Sequence, residues 1–324
     1  MAMTREMKNE IRITGVVVKS DIKEFQTKKG EDAIGGSLVI RTTDGSENEI
    51  SIYSSKWKKD KDGNETGETT YFFNQYDKLK DDLITLETDS ENASVVSVTQ
   101  GTFGANDFKG KDGNVVSTVR ENGKFITILT DKEISVASQE AKFEIEGIIE
   151  KIEDELDKEQ IPTGKGKLKL NHILTTRDFK NPQSKPEPKD MFPITLTVPE
   201  HLWDAFKGAG YFEGCLAKFV GNLKNTVQTD TIIEKQSFGE DIVKEITKHV
   251  KEFEVRSGNT ANTYDSIGLT QEDISMLQAK RKQHLEEVKN GELQQDGTFG
   301  GGTNVSKPST PTNPFASASV NPFA

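Results

Sequence analysis

The amino-acid sequence predicts a mainly β protein: two tandem five-stranded barrels, short helices and a disordered C-terminal tail. Three observations predict it. Apolar residues alternate with polar ones through successive short segments of the first half, which is the period-two signature of half-buried strands. Segments of the same pattern return in the same order in the second half. The last stretch, "ELQQDGTFGGGTNVSKPSTPTNPFASASVNPFA", is rich in Gly, Ser, Thr and Pro and holds too little apolar surface to offset the entropy of ordering.

The first strand is "IRITGVVVKS", with Ile11, Ile13, Gly15 and Val17 on one face. "GGSLVIRTT" and "NEISIYSS" repeat the alternation around a turn at Asp44 and Gly45. In "NQYDKLKDDLITL", Tyr76, Leu79, Leu83 and Leu86 fall near helical spacing, which predicts a short helix over 74–86. A strand from Val95 to Thr102, a turn at Asp112 and Gly113 and a strand over "KFITIL" complete the set. Five strands with a helix between the third and fourth is the order of an oligonucleotide-binding (OB) barrel.

The second copy opens at Phe143 with "FEIEGIIEKI", where Gly147 takes the place of Gly15. Glycine suits the sharp bend of a long first barrel strand because it has no Cβ to clash. "FPITLTVPEHLWDAF" corresponds to the third strand plus its helix, and "CLAKFVGNL" to the fourth strand, each fourth strand ending at a glycine, Gly101 and Gly221. "GEDIVKEITKHVKEFEV" puts Ile242, Ile246, Val250 and Phe253 on one helical face and predicts a helix. Thr270 and Asp273 in capping-box spacing open another, which runs through Ile274, Leu277, Leu285 and Val288 to a stop at Asn290 and Gly291. The resulting division is a first barrel over 1–135, a second over 136–258, a linker and helix over 259–290 and a tail over 291–324.

Composition narrows the function. The 324 residues suffice for two domains, but with 32% hydrophobic and 29% charged residues the cores must be small. A net charge of −11 argues against a surface coated in basic residues, while leaving room for a local basic groove. The single cysteine, Cys215, excludes an intrachain disulfide framework and a multi-thiolate metal site, and its apolar neighbours make it a buried hydrophobe. The N-terminus "MAMTREMKNE" lacks an apolar core of the signal-peptide kind, and no run of about 18 apolar residues occurs, so a cytoplasmic protein with no membrane partner is expected.

Enzyme chemistry finds no support. "PTGKGK" at Pro162 lacks the first glycine of a phosphate-binding loop and has Gly166 where a magnesium-binding Ser or Thr belongs. His172, His201, His249 and His284 are scattered without ligand spacing. The eight carboxylates from Glu144 to Glu159 read as solvated surface. A protein that is not an enzyme and needs neither cofactor nor metal is the expectation.

Basic and aromatic residues interleave in four places. Single-stranded nucleic acid needs cations for its phosphates and flat rings for its bases. The loop after the first strand offers Lys19, Phe25, Lys28 and Lys29; the segment after the third offers Lys56, Trp57, Lys58 and Lys59. The hairpin of the first barrel offers Phe103, Phe108, Lys109 and Lys111, with Phe103 open to a core role as well. Ile161 to Lys189 carries seven basic residues against two acids, among them Lys165, Lys167, Lys169, Arg177 and Lys180 beside Phe179. Tyr71, Phe72, Phe73 and Tyr76 read as core anchors.

The run "EISIYSSKW…NQYDKL…SVVSVTQGTFGANDFKGKDGNVVSTVRENGKFITIL" resembles the single-stranded DNA-binding proteins of bacteria and their phages. The resemblance covers about Glu10 to Leu129 and, more faintly, Lys142 to Val255. It implies sequence-tolerant binding of single-stranded DNA in replication, recombination or repair, with Trp57, Phe103, Phe108, Lys109 and Lys111 on DNA-facing strands and loops. Members of that family end in a flexible acidic tail tipped by Pro-Phe that inserts into partner enzymes. Here Asn313, Pro314 and Phe315, and again Asn321, Pro322 and Phe323, each precede an alanine. By that resemblance they would recruit replication or recombination proteins, duplication raising their effective concentration. The alternative is a protein-interaction or assembly module that binds no nucleic acid, for which the acidic net charge speaks.

Overall fold

The computed structural model describes residues 3–178, 181, 183–234, 238 and 242–291. The strands and helices are β1 (Asn9–Ser20), β2 (Lys23–Gln26), β3 (Asp32–Arg41), β4 (Glu47–Ser55), β5 (Trp57–Lys59), β6 (Glu65–Thr69), α1 (Tyr71–Asp82), β7 (Val95–Lys109), β8 (Val115–Ile128), α2 (Asp131–Ile134), β9 (Ala141–Leu156), β10 (Pro162–Thr176), β11 (Glu187–Val198), α3 (Glu200–Gly208), β12 (Leu216–Glu234), β13 (Ile242–Gly258) and α4 (Gln271–Asn290).

Two five-stranded barrels close in the same way. In the first, antiparallel pairings β1–β3, β3–β4, β1–β7 and β7–β8 are completed by one parallel contact between β4 and β8. In the second, β9–β10, β10–β11, β9–β12 and β12–β13 are completed by a parallel contact between β11 and β13. The chain is thus mainly β with two OB-like barrels, and a helix precedes the fourth strand of each, α1 and α3.

The aligned glycines do equivalent work. A Cβ on Gly15 would lie 2.2 Å from the Arg41 carbonyl oxygen on β3, and one on Gly147 would lie 3.0 Å from the Asn171 carbonyl oxygen on β10. Both first strands therefore press against the second strand of their own barrel: at Gly15 only hydrogen fits, and at Gly147 a Cβ would be tight. The barrels join through antiparallel β1–β9 pairing, in which Ile11 faces Phe143, Asn9 faces Ile145 and Ile13 faces Ala141. Phe143 follows Ile11 at the same interval as Gly147 follows Gly15, so an approximate two-fold axis passes through the Ile11–Phe143 pair.

Three sequence expectations change. The segment expected as a helix around Ile242 is β13, the closing strand of the second barrel. Ile242, Ile246 and Val250, spaced by four, fit one face of a helix and also one face of a strand, because four is a multiple of two; Phe253, three further on, fits only the helical face, and the β-branched content favours the strand. The helix expected over 74–86 starts earlier, at Tyr71, where the Thr70 hydroxyl accepts from the Phe73 amide at 3.2 Å. It buries Phe73 and Tyr76 as expected, whereas Tyr71 stays 64% exposed. The helix α4 matches its expectation: Thr270 and Asp273 form the capping box, and Gly291 caps the end in the left-handed conformation. Cys215 is fully buried in the core, as its neighbours predict.

Candidate nucleic-acid interface

The hairpin of one barrel reaches the other. β8, from the first barrel, stands over the outer faces of β10 and β11, and together with β13 it walls a groove of about 620 Å³. Asn225 on β12 donates from Nδ2 to the carbonyl oxygen of Glu47 at the start of β4, so the second barrel's hairpin likewise touches the first barrel's third strand. In an OB barrel, the outer face of the second and third strands and the hairpin between the fourth and fifth are the surfaces that take oligonucleotides.

Alternation builds the groove. On β10, Leu168 and Leu170 enter the core, which turns Lys167 and Lys169 outward into the groove. On β11, Ile194 and Leu196 are buried, and Pro193, Thr195 and Thr197 line the groove. Ser117, Thr118 and Val119 of β8 face them, and Lys251 and Phe253 of β13 complete the lining, the Lys251 ammonium 5.7 Å from the Phe253 ring centroid. A volume of this size lies in the range of roughly 300 to 1,000 Å³ typical of ligand sites.

Charge in the groove is nearly balanced. Lys169 pairs with Glu150 at 2.7 Å, Lys167 with Glu155 at 3.3 Å and Lys165 with Glu252 at 3.5 Å. Lys251 pairs with Glu121 at 2.6 Å. Burial pushes the Glu121 carboxyl above its ordinary pKa, and the Lys251 ammonium partly offsets that. An incoming phosphate would therefore compete with carboxylates already bound to these lysines.

The other expected site residues fall into separate groups. At one end of the first barrel, Phe25 packs against Tyr53 with ring centroids 6.3 Å apart, and Lys56 sits 5.4 Å from the Trp57 ring centroid. There Lys56 meets Glu24 at 3.6 Å, Lys58 meets Glu68 at 2.9 Å and Lys59 meets Glu31 at 2.7 Å. Lys19, Lys28 and Lys29 are exposed on β1 and the turn beyond β2. Phe108, 37% exposed, leads into the β7–β8 tip with Lys109 and Lys111. Arg177 lies 3.7 Å from Glu6. Phe179, Lys180, and the tail residues Asn313, Pro314, Phe315, Asn321, Pro322 and Phe323 lie outside the described residues.

Phe103 is not a surface ring. It is 1% exposed, and its centroid lies 5.9 Å from that of Phe143 and 5.0 Å from that of Phe253, forming an aromatic cluster that ties the two barrels together. Alternation turns it inward together with Gly101, so no face remains for a base. Sequence reasoning missed Lys251, Thr195, Thr197 and Ser117 of the groove lining. The polar alternation of "FPITLTV" could have shown the two threonines; Lys251 was hidden by the helical reading of β13.

Among the described residues, no group of three or more His, Cys, Asp or Glu side chains could hold a metal ion, and no helix is long and apolar enough to cross a membrane.

Comparison with solved structures finds likeness to the single-stranded DNA-binding protein from Thermus aquaticus. The wild-type structure is 10% identical with a TM-score of 0.44, over 82% of this chain and 97% of that one. A deletion mutant of the same protein, which also carries an arginine-to-alanine substitution, is 11% identical with a TM-score of 0.44, over 79% of this chain and 95% of that one. No curated protein matches the chain. Both barrels, the seam between them and α4 lie within residues 8–291, which match the YorF family model, and the chain belongs to the YorF family.

Proposed function

We propose that this protein binds single-stranded DNA with little regard to sequence and is not an enzyme. One observation carries the reading: the groove across the outer faces of β10 and β11 presents Lys167, Lys169 and Lys251 together with the exposed hydroxyls of Thr195 and Ser117. Cations meet phosphates whatever the bases are, and hydroxyls serve any base. The rings of Trp57 and Phe108 and the lysines beside them extend the contacts beyond the groove. In this role the protein would act in replication or recombination in the cytoplasm, of phage or bacterial origin, with the Asn-Pro-Phe tail recruiting partner proteins.

The second reading is a protein-interaction module. The pairing of Lys165, Lys167, Lys169 and Lys251 with carboxylates favours it, since it leaves the groove with little net charge.

Fluorescence anisotropy with labelled oligo-dT, across a salt series, decides between them. Saturable binding that weakens with salt and falls at least tenfold in a Lys167→Glu, Lys169→Glu variant supports the DNA reading, the loss matching two phosphate contacts. No binding by the wild type at low salt sinks it.

A further inference from the structure

Arg281 lies on α4, outside both barrels, yet its side chain is only 10% exposed. Nη1 and Nη2 each donate at 2.6 Å to separate oxygens of Asp107, a parallel two-point pairing with a carboxylate that is itself 3% exposed. Nη2 also donates to Ser117 Oγ at 2.8 Å. Asp107 on β7 and Ser117 on β8 are cross-strand partners, so one side chain grips both strands of the hairpin at one rung. Ser117 in turn lines the groove.

The same helix holds the opposite wall. Lys280, the neighbour of Arg281, donates from Nζ to the carbonyl oxygen of Lys189 on β11 at 2.7 Å. Ile274 and Leu277 anchor α4 in a core cluster with Ile173 and Met191 of β10 and β11. One helix therefore touches the hairpin on one side and the second barrel on the other.

We propose that α4 is a brace that fixes the spacing between β8 and β11, with Arg281 as the positioning residue for the groove wall. This rests on the DNA reading above. A wall held in place before binding spares the complex the ordering cost it would otherwise incur, and that saving is felt in the dissociation rate. Lysine cannot substitute fully, because one ammonium cannot offer the planar fork that spans Asp107 and Ser117 together.

The test uses the full chain in three forms: wild type, Arg281→Lys, and Arg281→Met combined with Asp107→Leu. The double variant removes both charges together, so no buried carboxylate is left unpaired to unfold the protein. Amide hydrogen exchange is followed at 115–119, and dissociation of labelled oligo-dT is followed by stopped flow. The brace predicts faster exchange at 115–119 in the double variant, melting close to wild type, and oligo-dT release faster by about tenfold, with Arg281→Lys between the two. Wild-type release rates in the double variant overturn the positioning role. Should the wild type bind no oligo-dT, the DNA reading alone falls; unchanged exchange at 115–119 would then overturn the brace as well, and faster exchange would uphold it.

Discussion

The ammonium of Lys251 lies 2.6 Å from the carboxylate of Glu121, linking β13 of the second barrel to β8 of the first. Glu121 is buried; Lys251 bonds its Oε2, and its Oε1 has no hydrogen-bond partner among the described residues. Removing the lysine leaves a buried carboxylate uncompensated, a change more costly than removing both charges. Lys251→Met should lower stability by about 2 kcal/mol, and adding Glu121→Gln should recover part of the loss. Urea denaturation of the two variants measures this; equal stability of Lys251→Met and wild type would contradict it.

Glu155 holds Lys167 at 3.3 Å in the groove. If phosphate competes for that lysine, Glu155→Gln should tighten oligo-dT binding by about 0.5 kcal/mol, the value of a partly exposed ion pair. The salt dependence should steepen by up to about 0.7 per lysine released to the strand. Anisotropy titrations at several salt concentrations give both quantities.

Phe103 and Phe108 lie on one strand and should respond in opposite ways. Phe103→Ala opens a cavity in the aromatic cluster between the barrels and should cost about 3 to 5 kcal/mol of stability. Phe108→Ala should leave stability nearly unchanged and cost about 1 to 3 kcal/mol of oligo-dT affinity, and Trp57→Ala should lose a similar amount of affinity. Thermal melts and binding titrations on the three variants separate the roles.

Much of this architecture was legible because its signals are local. Ile11, Ile13 and Val17 alternate, Gly15 and Gly147 mark the same close approach, and Thr270 with Asp273 caps α4. The tip of the β7–β8 hairpin follows from Asp112 and Gly113, the latter at φ +82°. What was not legible depends on tertiary contact. In β13 the spacing of Ile242, Ile246 and Val250 fits two periods, and only pairing with β12 settles it as a strand. Phe103 could not be placed inside without Phe143 and Phe253, which come from the second barrel. The groove brings Lys167 and Lys169 together with Lys251 and Ser117, and no linear motif joins these four.

His172 is buried, its Nδ1 2.7 Å from the Glu146 carbonyl oxygen, and burial pulls its pKa down to about 4. The folded state resists the proton that the unfolded chain takes up below about pH 6.5, so the stability held by neutral His172 is present above that pH and lost as pH falls toward 4. The loss should amount to roughly 3 kcal/mol in total. In His172→Asn, which keeps a donor for the carbonyl but cannot titrate, urea midpoints should fall less between pH 6.5 and 4 than in the wild type. Parallel curves for the two proteins would refute this.

The β1–β9 seam has one more consequence. Severing the chain between 135 and 136 would strip Asn9–Ile13 from one fragment and Ala141–Ile145 from the other of the neighbour that satisfies their amides and carbonyls. Raw strand borders of that kind recruit whatever chain comes next. Each isolated half should therefore self-associate, borrowing from a twin what its sister barrel supplies in the intact molecule: one polypeptide holds the geometry of a homodimer.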